Sequence, residues 1–215
     1  MRRCRLVVLI SGSGSNLQAL IDACGTGDFP AVIAAVISNR PDAGGLERAQ
    51  RAGIPTAVLD HKSFPDRQSF DHALLHEIDR HEPELVVLAG FMRILSADFV
   101  RHYAARVMNI HPSLLPLYPG LHTHQRALEA GDTEHGATVH FVSEELDGGP
   151  AIVQSRVPVH ADDTAETLAA RVLLQEHRIY PHAVRLFAEG RLQLRDGRAL
   201  LDGDALPATG LLFPG

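Results

Sequence analysis

The chain has 215 residues, 45% hydrophobic and 21% charged, which suits one large domain with a sizeable core and excludes a disordered or fibrous protein. Its formal net charge of −6 argues against nucleic acid as an electrostatic partner. No apolar run approaches the roughly 20 residues that a membrane helix needs, and Cys4 and Cys24 are too few for a disulfide framework.

The start, Met1-Arg2-Arg3-Cys4-Arg5, has the charge of a signal peptide, but the apolar run Leu6 to Ile10 is too short for one. It predicts a buried first strand in a cytoplasmic protein. Further strands are expected at Ala31 to Ile37, Thr56 to Leu59, Leu85 to Leu88 and Arg106 to Ile110, all rich in Val, Ile and Leu. Between them, Leu17, Leu20, Ile21 and Cys24 recur at helical spacing, Gly45 to Ala52 predicts a second helix, and Phe70, Leu74 and Ile78 mark a third. This alternation implies a parallel sheet with helices on both faces, and ligands gather beyond the carboxyl ends of such strands.

The second half predicts strands at Ala137 to Val142 and Ala151 to Val159, with an Asp-Gly-Gly turn signal between them. A long helix should follow, with Asp163 and Glu166 spaced as a capping box and Leu168, Val172 and Ile179 as its stripe. A small hairpin is expected around Asp196-Gly197. The tail Leu206 to Gly215 is either disordered or packed on the sheet.

Ser11-Gly12-Ser13-Gly14-Ser15-Asn16 sits between the first strand and first helix. Glycines allow close backbone approach, and a helix start favours an anion. A dinucleotide fingerprint would put a third glycine where Leu17 stands, and no Walker lysine follows. A single terminal phosphate fits better, against the plainer reading of a capped strand-to-helix turn.

Met108-Asn109-Ile110-His111-Pro112 ends a predicted buried strand. Asn109 and His111 are two apart, so both side chains leave the same face. An amide donor beside an imidazole can polarise a carbonyl and hold the oxyanion formed on attack. Asp147, on the predicted turn, could orient that ring. The reading requires these three side chains to meet in space.

With these residues in view, the chain resembles the phosphoribosylglycinamide formyltransferases, a folate-dependent family. The likeness runs through Gly12 to Asn16, Leu88 to Leu95, Asn109 to Leu121, His135 to Val142, the Asp147 turn and Gln175-Glu176-His177. It implies a Rossmann-like α/β formyltransferase fold: a mostly parallel central sheet flanked by helices, with antiparallel strands in the C-terminal half. It also implies a single domain over 1–215, with a phosphate-binding half at 1–110 and a half at 111–215 completing the folate and catalytic site.

The reaction so implied moves the formyl group of 10-formyltetrahydrofolate to the amine of glycinamide ribonucleotide. Asn109, His111 and Asp147 are then the catalytic trio. Gly14, Ser15 and Asn16 correspond to the phosphate cradle, and Glu176 to the ligand of the ribose hydroxyls. Arg67, Met92, Arg93, Ile94, Leu95, Asn109, Ser143, Glu144, Glu145, Leu146 and Asp147 correspond to the folate site. The expected partners are these small molecules, without nucleic acid, membrane or metal, and the protein would act as a monomer or homodimer. One departure is Leu117, where many relatives carry a polar or basic residue.

Three rivals remain at this stage. One is another formyltransferase or hydrolase that uses 10-formyltetrahydrofolate on a different acceptor. A second is a metal hydrolase built on His111, His122, His124, His135 and His140, with His122 and His124 on one side of an extended loop. The third is a non-catalytic nucleotide-binding module, which would need the glycine loop but not the trio.

Overall fold

Runs of Val, Ile and Leu without a polar face need cover on both sides, and the first half of the chain builds its sheet from them. The computed structural model describes residues 2–214 and divides between Met108 and Asn109 into two compact units. In the first unit, β1 (Cys4–Ile10), β2 (Ala31–Ser38), β3 (Thr56–Val58) and β4 (Leu85–Leu88) lie in the order β4-β1-β2-β3. Every pairing among them is parallel. Leu6 to Ile10 and all of β4 are buried.

The helices of this unit are α1 (Ser15–Gly25), α2 (Gly45–Arg51), α3 (Arg67–Asp79) and α4 (Ala97–His102). The expected stripes are the buried ones. Leu17 and Leu20 are fully covered in α1, with Ile21 and Cys24 partly so, and Phe70, Leu74 and Ile78 are covered in α3. Each large apolar side chain taken from water contributes roughly 1.5–3 kcal/mol. No apolar period in the sequence marks α4. It spans six residues and buries only Phe99, too short a stretch to show a helical period.

The second unit opens with the end of β5 (Val107–His111) and continues through α5 (Thr123–Ala130), β6 (Glu134–Phe141), β7 (Ala151–Pro158) and α6 (Ala165–Ala188). It ends with β8 (Leu192–Arg195), β9 (Arg198–Leu201), β10 (Asp204–Ala205) and β11 (Leu211–Leu212). Strand order is β5-β6-β7-β11, with β6 and β7 antiparallel and β11 parallel to β7. The fold is therefore mixed α/β with a mostly parallel sheet flanked by helices, as the sequence predicts. Its antiparallel pairings lie in the C-terminal half.

Two local expectations are corrected, the capping box of α6 and the extended histidine loop, and the terminal hairpin and tail form with added pairing. The capping box of α6 sits one residue later than predicted: Thr164 and Thr167 exchange side-chain-to-backbone hydrogen bonds, in place of Asp163 and Glu166. Both pairs have the required spacing, and Asp163 is engaged elsewhere, accepting from Arg171 at 2.7 and 2.8 Å and from His160 N at 2.7 Å. The predicted hairpin gains a third strand, β10, and Leu211–Leu212 of the tail pairs with Val153 and Gln154. Gly215, the last residue of that tail, lies outside the described residues. Finally, His122 and His124 are not on an extended loop, because Thr123–Ala130 is helical and His122 is its N-cap.

Candidate active site

Strand β5 ends at His111, which is 6% exposed, two residues after the partly buried Asn109. The turn that follows β6 brings Asp147 to it. His111 Nδ1 lies 3.5 Å from Asp147 Oδ2, and both side chains are more than nine-tenths buried. Two glycines make that turn close. A Cβ on Gly149 would sit 1.7 Å from the Phe141 carbonyl oxygen, and one on Gly148 would strike Glu145. Asp147 itself has φ 50°, a left-handed conformation that Asp adopts more readily than most residues.

The other nitrogen of His111, Nε2, is 2.8 Å from the Tyr118 carbonyl oxygen. Both neighbours of the ring, a carbonyl and a carboxylate, are acceptors. The ring is thus held between two oxygen acceptors, one at each nitrogen. Gly120 N–H donates to Asp147 Oδ2 at 2.8 Å, so the 118–120 segment touches the histidine and the carboxylate alike.

Asn109 joins this cluster through a residue the sequence reading treated only as a possible metal ligand. Its Nδ2 lies 3.3 Å from His140 Nε2, and His140 Nε2 is 3.9 Å from Asp147 Oδ1. His140 Nδ1 is 2.9 Å from the Phe141 carbonyl oxygen and donates to it, which leaves Nε2 as an acceptor for the Asn109 amide. Burial pushes the His140 imidazole down to about 4, so it is neutral near pH 7. His140 thereby fixes which way the Asn109 amide points. The β6–β7 register shifts between Val139 and His140, an irregularity of the kind that re-aims side chains beside functional sites. The signal in the sequence was the polar alternation of Thr138 and His140 with Val139 and Phe141. It looks like a solvent face, yet all four are buried.

In the first unit, the glycine loop is shaped by backbone contact. Gly14 caps α1 with φ 74° and makes no side-chain cap hydrogen bond, so backbone alone shapes the start of this 11-residue helix. A Cβ on Gly14 would lie 2.5 Å from Gly45 Cα, and Gly45 N–H donates to Gly12 O at 3.0 Å. Arg48 braces the same loop, donating from Nε to Ser13 O at 2.8 Å. Ser15 and Asn16 occupy the first turn of α1, Asn16 buried and Ser15 partly so. Leu17, where a dinucleotide fingerprint needs glycine, is fully buried.

Arg67, at the start of α3, donates from its guanidinium to the Ile94 carbonyl. Arg93 lies over the Phe70 ring at 5.0 Å, and Ser96 N–H donates to Asp71 at 3.0 Å. The α3 helix thus ties down the Met92–Leu95 strip, while the Met92 and Ile94 side chains are 67% and 59% exposed. In the second unit Ser143 Oγ donates to Glu145 O at 3.2 Å, and Glu144, Glu145 and Leu146 are exposed. Glu176 is buried on α6, one turn beyond Val172. Among the described residues, no group of three or more His, Cys, Asp or Glu side chains is arranged to hold a metal ion.

The family model described as formyl transferase matches residues 4–184, most of the chain. The chain belongs to the formyl transferase family. Within that family it is 58% identical over 205 residues to the phosphoribosylglycinamide formyltransferase of Escherichia coli K12, covering 95% of this chain and 97% of that protein. It is 49% identical over 193 residues to the human trifunctional purine biosynthetic protein adenosine-3, covering 90% of this chain and 19% of that protein. The solved phosphoribosylglycinamide formyltransferase of Coxiella burnetii superposes with a TM-score of 0.95 at 52% identity, covering 99% of this chain and all of the other. A formyl transferase carries a one-carbon acyl unit, and the oxyanion chemistry read from Asn109 and His111 is of the kind such a transfer requires.

Proposed function

We propose that the chain transfers the formyl group of 10-formyltetrahydrofolate to the primary amine of glycinamide ribonucleotide, giving formylglycinamide ribonucleotide and tetrahydrofolate in purine biosynthesis. The observation that carries this reading is the buried cluster of Asn109, His140, Asp147 and His111, linked at 3.3, 3.9 and 3.5 Å. The amine attacks the formyl carbon, and the carbonyl electrons move onto oxygen. Asn109 meets that oxyanion with its second amide N–H, and His111 donates to it from Nε2, exchanging the Tyr118 carbonyl for the oxyanion. Asp147 holds His111 and takes the proton the amine loses. Collapse of the intermediate breaks the bond to the folate nitrogen, which leaves with that proton. The His111–Asp147 separation is longer than the 2.7–2.9 Å of a charge-assisted hydrogen bond, and such contacts tighten when substrate binds.

In this reading Gly14, Ser15 and Asn16 hold the phosphate and Glu176 the ribose hydroxyls. Arg67, the Met92–Leu95 strip, Asn109 and residues 143–147 receive the folate. Exposed Met92, Ile94 and Leu146 support a partly apolar ligand, because apolar side chains left in water gain by being covered. The chemistry needs no metal, since the side chains supply both the donors and the proton acceptor. The whole chain acts as one formyltransferase domain, a reading supported by a family match that runs through Met108 without a break. It works in the cytoplasm on small molecules, as a monomer or homodimer. Among the described residues, no helix is long and apolar enough to cross a membrane.

The test is to mix the protein with glycinamide ribonucleotide and a 10-formyl folate and follow folate absorbance. Deformylated folate should accumulate only when the ribonucleotide is present. No turnover, or formate release without an acceptor, would overturn the assignment.

A further inference from the structure

Ser11 closes β1 and opens the glycine loop, yet its hydroxyl is bonded to other segments of the first unit. Ser11 Oγ accepts from the Met92 backbone N–H at 2.8 Å. Its own proton goes to Asn39 Oδ1 at 2.5 Å. The Ser11 backbone N–H donates to Gly90 O at 3.1 Å, so one residue holds both ends of the Gly90–Met92 reversal. Asn39 is held in turn by His61, whose Nδ1 lies 3.2 Å from Asn39 Nδ2 and 3.0 Å from Asn39 O. Ser11 and Asn39 are only 4% and 3% exposed. In such surroundings an unmade hydrogen bond is costly, and a hydroxyl that accepts from one partner and donates to another has a defined direction.

What Ser11 anchors is unusual. The Met92 amide is tied inward, while the Met92 side chain is 67% exposed and begins the strip that Arg67 braces at Ile94. We infer that Ser11 is a positioning residue for the folate: its hydroxyl, aimed by Asn39, fixes the Met92 amide and with it the strip from Met92 to Leu95. This rests on the proposed assignment of that strip to folate. Ser11 therefore belongs to the glycine loop by sequence and to the folate strip by hydrogen bonding.

The experiment compares Ser11→Ala, Ser11→Thr and Asn39→Ala in the full chain, by steady-state kinetics and by amide exchange at Met92. Ser11→Ala removes the acceptor of the Met92 amide, so exchange there should accelerate. The KM for 10-formyl folate should rise roughly tenfold, with the KM for the ribonucleotide within about twofold and kcat changing less than the folate KM. Ser11→Thr keeps the hydroxyl and should restore both slow exchange and the folate KM. Asn39→Ala, which leaves the serine hydroxyl unaimed, should act in the same direction more weakly. An unchanged folate KM in an active Ser11→Ala enzyme overturns this inference alone, as does a larger rise in the ribonucleotide KM. A wild-type protein that transfers no formyl group overturns the functional reading itself.

Discussion

In the first unit the candidate sites are made of backbone: Gly14 against Gly45, the Gly12 carbonyl on Gly45 N–H, and the Met92 amide on Ser11. In the second they are made of titratable side chains packed together, with His111, Asp147 and His140 all more than nine-tenths buried. The difference is chemical. Holding a phosphate or a flat heterocycle needs fixed N–H groups and close approach, which glycine and helix ends provide. Activating a carbonyl needs groups that carry or exchange protons at a defined point, and burial strengthens their action. Side-chain truncation should therefore harm the second unit's contribution most, and added carbon the first's.

The largest expected effect follows from removing a donor of the trio. Asn109→Ala and His111→Ala should each lower kcat by roughly 100- to 1000-fold, about 2.7–4 kcal/mol of transition-state stabilisation. Each variant strips a buried group of its partner, Asp147 of His111 or His140 of Asn109. Stability should therefore fall by about 1–3 kcal/mol, read as a lower unfolding temperature, while the chain stays folded for assay. Near-normal turnover in both variants would break the contrast between the units at its strongest point.

A second effect, of a few kcal/mol, concerns acid stability. The imidazoles of His140 and His135 are both pushed down to about 4, chiefly by burial. In the unfolded chain each titrates near 6.5. Between pH 6.5 and 4 the unfolded chain binds the additional protons, so stability falls as pH drops through this window and levels off, for these rings, below it. The loss is on the order of 3 kcal/mol per ring. Denaturant titrations at pH 7 and pH 5 check it, and equal stability at both values would contradict the neutral buried state that lets His140 accept from Asn109.

The smallest effect tests the first unit. Gly14→Ala places a Cβ 2.5 Å from Gly45 Cα at a φ of 74°. It should cost about 1–3 kcal/mol of stability and raise the ribonucleotide KM more than the folate KM. Calorimetric titration with each substrate would sharpen the comparison, and equal weakening of both would detach the loop from the phosphate.

Much of this was readable from local pattern. The apolar runs of β1, β2 and β4 and the stripes of α1, α3 and α6 carry their burial in their spacing. Asn109 and His111 share a strand face by periodicity alone. Helix α4 was too short to show a period, and α5, Thr-His-Gln-Arg-Ala-Leu-Glu-Ala, buries only Thr123 and Ala127. Thr164-x-x-Thr167 and Asp163-x-x-Glu166 both satisfy the capping rule, and the choice fell to Arg171, eight residues after Asp163.

The sequence by itself determined the parallel α/β class, the glycine loop, the amide–imidazole pair and the family, because each is written in neighbouring residues. Tertiary structure alone decided that Asp147 meets His111 across 36 positions, that His140 aims Asn109, and that Ser11 serves Met92. These partners are distant along the chain, and no local spacing rule joins a strand end to a turn. Only packing, which buries polar groups and then requires each to find an acceptor or donor, selects the pairs.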